Sequence, residues 1–179
     1  MKKATLLLFF AGLSFGLHAQ KIFSTTTGQI RFNASSPLEK VIGVNNQVDS
    51  KIIDKTGQVV FSALIKSFKF ENQLMEDHFN ENYLESSKFP KAEFRGFITN
   101  IGTVNFAKDG KYPANFSGTL TIHNVSQKVS TTGEITIANG IPAVNGAFKV
   151  KLADYGITGS YIGGKIANEA EVTVNCKYQ

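Results

Sequence analysis

Apolar side chains recur at every second residue in segment after segment of this chain, and that period limits its folds more than any other feature. Ile30, Phe32 and Ala34 share one face, with Arg31 and Asn33 opposite. Val59, Phe61, Ala63 and Ile65 form a second file, and Phe94, Gly96 and Ile98 a third. The cleanest case sets Phe116, Gly118, Leu120 and Ile122 against Asn115, Ser117, Thr119 and Thr121. Val129, Ile135 and Ile137 oppose Lys128, Glu134 and Thr136, and Phe148, Val150 and Leu152 oppose Lys149 and Lys151. Finally, Ala170, Val172, Val174, Cys176 and Tyr178 face away from Glu171, Thr173, Asn175 and Lys177. In a strand, successive side chains point to opposite faces, so each segment has one buried and one wet face. That is the pattern of antiparallel sheet in an all-β protein. Period alone does not separate a closed barrel from a sandwich, because both bury alternate residues.

One stretch departs from the pattern. Between Gln73 and Leu84, Met75, Phe79 and Tyr83 recur every four residues, while Glu76, Asp77, Asn80 and Glu81 fill the other side. The spacing predicts a helix of about three turns with a single apolar stripe, laid against the sheet or over an opening in it. Asn72 is placed to cap its first turn, and Ser86, Ser87 and Pro90 mark its exit. Asn139 and Gly140 give the strongest hairpin signal, since both accept a positive φ.

Glycines interrupt the apolar files at Gly96, Gly118 and Gly133, and Gly146 continues the file of Phe148. Such glycines either let a sheet bend sharply or leave space beneath large neighbours. If the sheet encloses a space, its wall is Phe61, Phe94, Gly96, Phe116, Gly118, Leu120, Gly133, Phe148 and Val150, with almost no charge. A lining of this kind offers no partners to a sugar or phosphate. It suits a hydrocarbon chain, each buried methylene contributing about 0.8 kcal/mol. A valine at Gly118 would then project into the space and displace such a chain. An eight-stranded barrel is about the size that encloses one such ligand.

The N-terminus reads as an export signal. Lys2 and Lys3 precede an apolar run from Leu6 to Leu17, and Ala19 precedes Gln20. The run is too short for a membrane span and matches a leader cleaved after Ala19, leaving residues 20–179 as one domain in the periplasm or outside the cell. Loss of the two lysines lowers the net charge from +5 to +3. The remaining charges form no basic cluster, which argues against nucleic-acid binding but leaves room for transient contact with a membrane surface. Three of the 15 Phe fall in the leader, and the chain has no Trp, so phenylalanine dominates the aromatic core. The lone Cys176 cannot form an internal disulfide and shares the face of Val172 and Val174, as a buried, inert thiol would.

Catalytic and metal chemistry find little support. Beyond the leader the only histidines are His78 and His123, with no close-spaced ligand set around them. No G-x-S-x-G elbow occurs, and the glycines from 156 to 164 lack a phosphate-loop pattern. His78 is placed to hydrogen-bond where the helix meets the sheet, and His123 ends a strand where it can cap the hairpin. The alternative sets both as a polar rim touching a ligand's polar end, and neither reading calls for a metal or cofactor.

Three motifs in order tie these features together. Met75-Glu76-Asp77-His78-Phe79 is followed by Tyr83-Leu84, by Ser87-Lys88-Phe89-Pro90 and by Phe94. The run from Phe116 to Val125 and then Asp154-Tyr155-Gly156-Ile157 come after it. Together they resemble the signatures of the YceI-like family of exported lipid-binding proteins. The resemblance departs at Met75 and Glu76, where that family commonly has arginine and aspartate ahead of the histidine. It departs again after Phe32, where Asn33-Ala34-Ser35-Ser36 stands in place of a usual histidine. The resemblance implies an extended, lipocalin-like antiparallel β-barrel of eight strands, with one short helix near its opening. It also implies an apolar lumen that takes a polyisoprenoid, an isoprenoid quinone or another long-chain lipid. The competing readings are a solid-core sandwich or barrel serving adhesion or assembly, and an enzyme with convergent polar groups in a cleft.

Overall fold

The computed structural model describes residues 20–179, so the expected leader lies outside the described residues. Eight strands close into one antiparallel barrel in simple chain order. They are β1 (Ile22–Ser35), β2 (Ile42–Ile53), β3 (Gln58–Leu64), β4 (Lys91–Ile98), β5 (Gly110–Ile122), β6 (Val125–Ala138), β7 (Ile141–Lys151) and β8 (Ile166–Lys177). β8 pairs with both β7 and β1, which removes the open edges an eight-stranded sheet would otherwise expose. The alternating files become the inward faces of β1 and of β3 to β8.

The strand that alternation does not reveal is β2. Its inward file carries Asn45 and Ser50 among Val48 and Ile52, so polarity no longer marks the two faces. Each polar group is satisfied where it is buried. Asn45 Nδ2 donates to the Leu64 carbonyl at 3.0 Å, and its Oδ1 accepts from Gln47 N at 2.8 Å. The Ser50 hydroxyl lies 2.9 Å from the Val60 carbonyl and 2.7 Å from the Tyr178 hydroxyl. A register shift between Gly28 and Ile30 in the pairing of β1 with β2 further breaks the period.

The two ends of the barrel differ. At the end bearing the Asn139 and Gly140 turn, Ile52, Val59, Ile98, Ile135, Ile137 and Tyr178 are at most 2 % exposed and fill the interior. The turn itself has φ of 52° and 73°, the left-handed pair that Asn-Gly favours, and the Asp109 carboxylate accepts from both of its amides. The opposite end carries the long connection from β3 to β4, the β5–β6 hairpin and the segment after β7.

Within that connection, α1 (Gln73–His78) is capped as expected: Asn72 Oδ1 accepts from Met75 N at 2.9 Å. The regular helix is shorter than expected, however, because residues Phe79–Tyr83 form a wider π turn. Asn80 supplies a reason. Its Nδ2 donates to the Glu76 carbonyl at 2.8 Å and so competes for the group that its own amide would take in an α-helix. Asn80 and Glu76, both expected on the wet face, are therefore half-buried, and Glu76 pairs with Lys69 at 2.6 Å.

Phe79 joins this segment to the barrel. Its ring stacks on Phe32 of β1 with centroids 5.3 Å apart and meets Phe70 at 4.9 Å and Phe68 at 5.6 Å. Phe79→Ala removes the hub of this four-ring cluster and is expected to destabilise the protein by about 3 kcal/mol, whereas exposed Glu81→Ala should stay within about 0.5 kcal/mol. Urea melts of the two variants check the difference; equal losses would mean that the stripe does not carry the packing.

Candidate ligand cavity

Above the filled end, the inward files stop meeting across the barrel. Phe61, Phe94 and Phe148 point inward yet remain half-exposed, because they border a partly open cavity of about 1100 Å3. Phe116 and Val144, which belong to the packed core, form its floor. Leu120, Val150, Ile65 and Leu84 close the upper wall together with the Phe79 cluster. The side chains reaching the walls are mainly aliphatic and aromatic. Charged and polar groups, among them Glu39, Asn72, His78, Lys128 and Lys165, stand at its borders. The cavity lies at the top of the size range of small-molecule sites, and a lining of this composition favours a hydrocarbon over a polar ligand.

Six of the nine residues expected in the wall border the cavity: Phe61, Phe94, Phe116, Leu120, Phe148 and Val150. Gly96, Gly118 and Gly133 do not. Gly96 and Gly118 face each other across β4 and β5, and each stands where a Cβ would run into the other strand. At Gly118 the Cβ would meet the Arg95 carbonyl and come within 2.6 Å of Gly96 Cα. At Gly133 it would lie 2.5 Å from the Asn145 carbonyl. These glycines permit close backbone approach where the sheet coils, and a valine at 118 would not reach the lumen. Gly146 is the exception. It borders the cavity, and its Cβ would meet only the Thr132 carbonyl, at 3.9 Å.

The two histidines separate. His78, on α1, borders the cavity. His123 does not; it occupies the β5–β6 turn itself, with φ of 50°. Its Nε2 lies 3.0 Å from Glu85 Oε2, its Nδ1 lies 3.4 Å from the Tyr155 carbonyl, and the Phe89 ring meets it edge-on at 4.7 Å. His123 thus ties together three loops at this end of the barrel. Hydrogen bonds from Lys88 and then from His123 hold the Glu85 carboxyl below its ordinary pKa. Cys176 is buried beside the core, and desolvation pushes its thiol up to about 12, which leaves it protonated and unreactive at neutral pH. Among the described residues no three His, Cys, Asp or Glu side chains gather to hold a metal ion.

Sequence reasoning missed the contribution of the β1–β2 loop, of the segment after β7 and of the start of β8, through Val41, Ile157, Tyr161 and Ile166. None of these lies in an alternating file; Ile157 stood out only as part of the motif Asp154-Tyr155-Gly156-Ile157, not as a wall residue.

A closed eight-stranded antiparallel barrel that is solid at one end and encloses an apolar cavity towards the other defines a class of hydrophobic-ligand-binding barrels. The family model of the YceI-like domain matches residues 15–178, and the chain belongs to that family. No curated protein matches its sequence. Among solved structures it is similar to a polyisoprenoid binding domain from Saccharophagus degradans implicated in plant cell wall breakdown. That similarity has a TM-score of 0.77 at 13 % identity, covering 88 % of this chain and 97 % of the other. Burkholderia cenocepacia BcnA superposes with a TM-score of 0.70 at 13 % identity, over 83 % of this chain and 94 % of that one. The YCEI protein of Campylobacter jejuni gives 0.52 at 18 % identity, over 100 % and 99 % of the two chains. At these identities the likeness establishes a shared fold.

Proposed function

We propose that this protein is an exported, non-catalytic binding protein that holds the long apolar tail of a lipid in its barrel. A polyisoprenoid, an isoprenoid quinone and a fatty chain all fit that description. The observation carrying this reading is the state of Phe61, Phe94 and Phe148, inward-facing yet bordering open space of about 1100 Å3. A solid adhesion module would have no use for such a void, since the lost contacts weaken the fold. A chain filling the cavity restores those contacts and removes its own methylenes from water, at about 0.8 kcal/mol each. The description of the Saccharophagus degradans relative as a polyisoprenoid binding domain agrees with this chemistry.

Export rests on the N-terminal pattern: two lysines, an apolar run and Ala19 before Gln20. One experiment addresses both parts. Protein recovered from outside the cytoplasm and studied by gentle native mass spectrometry should have a chain beginning at Gln20 and carry a non-covalent hydrophobic mass that organic solvent extracts. Protein that retains residues 1–19 contradicts export. Protein that is always empty, and takes up no long-chain lipid when offered one, contradicts the binding role.

A further inference from the structure

The barrel closes along only part of its β6–β7 seam. Pairing between these strands runs from Ala138 opposite Ile141 to Gly133 opposite Gly146 and then stops, although both strands continue. Over the same stretch β6 stays paired with β5 as far as Val125, and β7 stays paired with β8 as far as Lys151. Residues 125–132 and 147–151 thus face each other without a ladder. At the point where the ladder ends, the Thr131 hydroxyl donates to the Ala147 carbonyl at 3.2 Å. At the other limit Gln127 Nε2 donates to the Asp154 carbonyl at 2.8 Å, in the short turn Leu152–Tyr155 that crosses above the opening. Between these two bridges lies a window in the wall, and residues from both of its lips border the cavity: Val129 and Ser130 on one side, Ala147 and Lys149 on the other.

We propose that this window is the lateral port through which the apolar chain of the ligand enters and leaves the barrel. The inference rests on the lipid-binding reading and adds the route. Unpaired backbone groups along a strand edge are costly in an apolar setting and tolerable only beside water. The window is therefore wet at its lips, and exposed Lys128, Ser130 and Lys149 stand on its outer side. Inward-facing Val129, Phe148 and Val150 carry the apolar surface from its edge to the cavity interior. An amphiphile can then slide its tail sideways into the lumen while its polar end stays hydrated at the lip. Passage needs only a small separation of two strands that are already apart, with no ladder hydrogen bond to break.

The test closes the window reversibly. Continued in the register of Gly133 and Gly146, the ladder would set Ser130 opposite Lys149, both on the outer face. The double variant Ser130→Cys, Lys149→Cys allows a disulfide across the gap, and buried Cys176 stays out of the exchange. Uptake and release of cis-parinaric acid, a fluorescent polyene fatty acid, are followed by stopped flow in the oxidised and reduced forms. At least tenfold slower exchange is expected when the bridge is formed, with wild-type rates restored by reduction. A second variant, Ser130→Cys coupled to a bulky maleimide, obstructs the lip without joining the strands and should slow exchange as well. Unchanged rates in the cross-linked and the coupled protein overturn the port and place entry at the rim around His78 and Tyr161. Wild-type protein that takes up no probe overturns the lipid-binding reading itself, and the port with it.

Discussion

Gly118→Val is expected to lose at least about 3 kcal/mol of stability, the upper end of what overpacking usually costs. The clash is with backbone: the Cβ would meet the Arg95 carbonyl and come within 2.6 Å of Gly96 Cα. A flexible side chain could turn aside, but a strand held in register by partners on both sides cannot shift alone. The intrinsic preference of valine for strands, worth up to about 1 kcal/mol, is too small to compensate. Urea denaturation measures the loss. A Gly118→Val protein as stable as wild type would show that β4 and β5 do not approach as closely as described.

Gly146→Phe is expected to do the reverse, leaving the fold in place and removing the ligand. The new side chain points into the cavity between Val144 and Phe148, where a Cβ finds only the Thr132 carbonyl at 3.9 Å. Stability should change by less than about 1 kcal/mol, because no neighbour has to move. The ring occupies space just above the floor, so a bound chain must withdraw from it. Withdrawal of only two methylenes costs about 1.6 kcal/mol, slightly more than a tenfold loss of affinity. Titration of wild type and variant with cis-parinaric acid, beside thermal melts of both, gives the comparison. Unaltered affinity in a folded variant would mean that the chain never reaches this depth.

These two glycines show how far the sequence could be read. Both lie in apolar files, and alternation treats them alike; what separates them is the distance to the next strand, which depends on how the sheet coils. Phe61, Phe94, Phe116, Leu120, Phe148 and Val150 were legible as one inner surface because their period is local. The Asn72 cap and the Asn139 and Gly140 turn were legible for the same reason, since each works through its own backbone neighbours. β2 was not, because Asn45 and Ser50 point inward and find their partners on β3 and in Tyr178 just beyond β8. The π turn was hidden too: a four-residue spacing announces a helix, but not that Asn80 will compete for the Glu76 carbonyl. The β6–β7 window left only a faint mark: the inward file of β6 carries polar Gln127 and Thr131 there, opposite Leu120 and Phe116, whereas the paired part carries Ile135 and Ile137.

The junction of β8 with β1 bears on how the chain reaches its native form. Strands in simple chain order give each neighbour a nearby partner, except that Gln29 meets Asn175 and Phe32 meets Val172. These contacts lie between opposite ends of the described chain, and loop closure makes such pairings slow to form. Tyr178 strengthens the dependence, because its buried hydroxyl reaches Ser50 on β2. Without β8, β1 and β7 each lack the partner on one side that closes the ring. The two bare edges are most open to pairing with another chain just before the ring shuts.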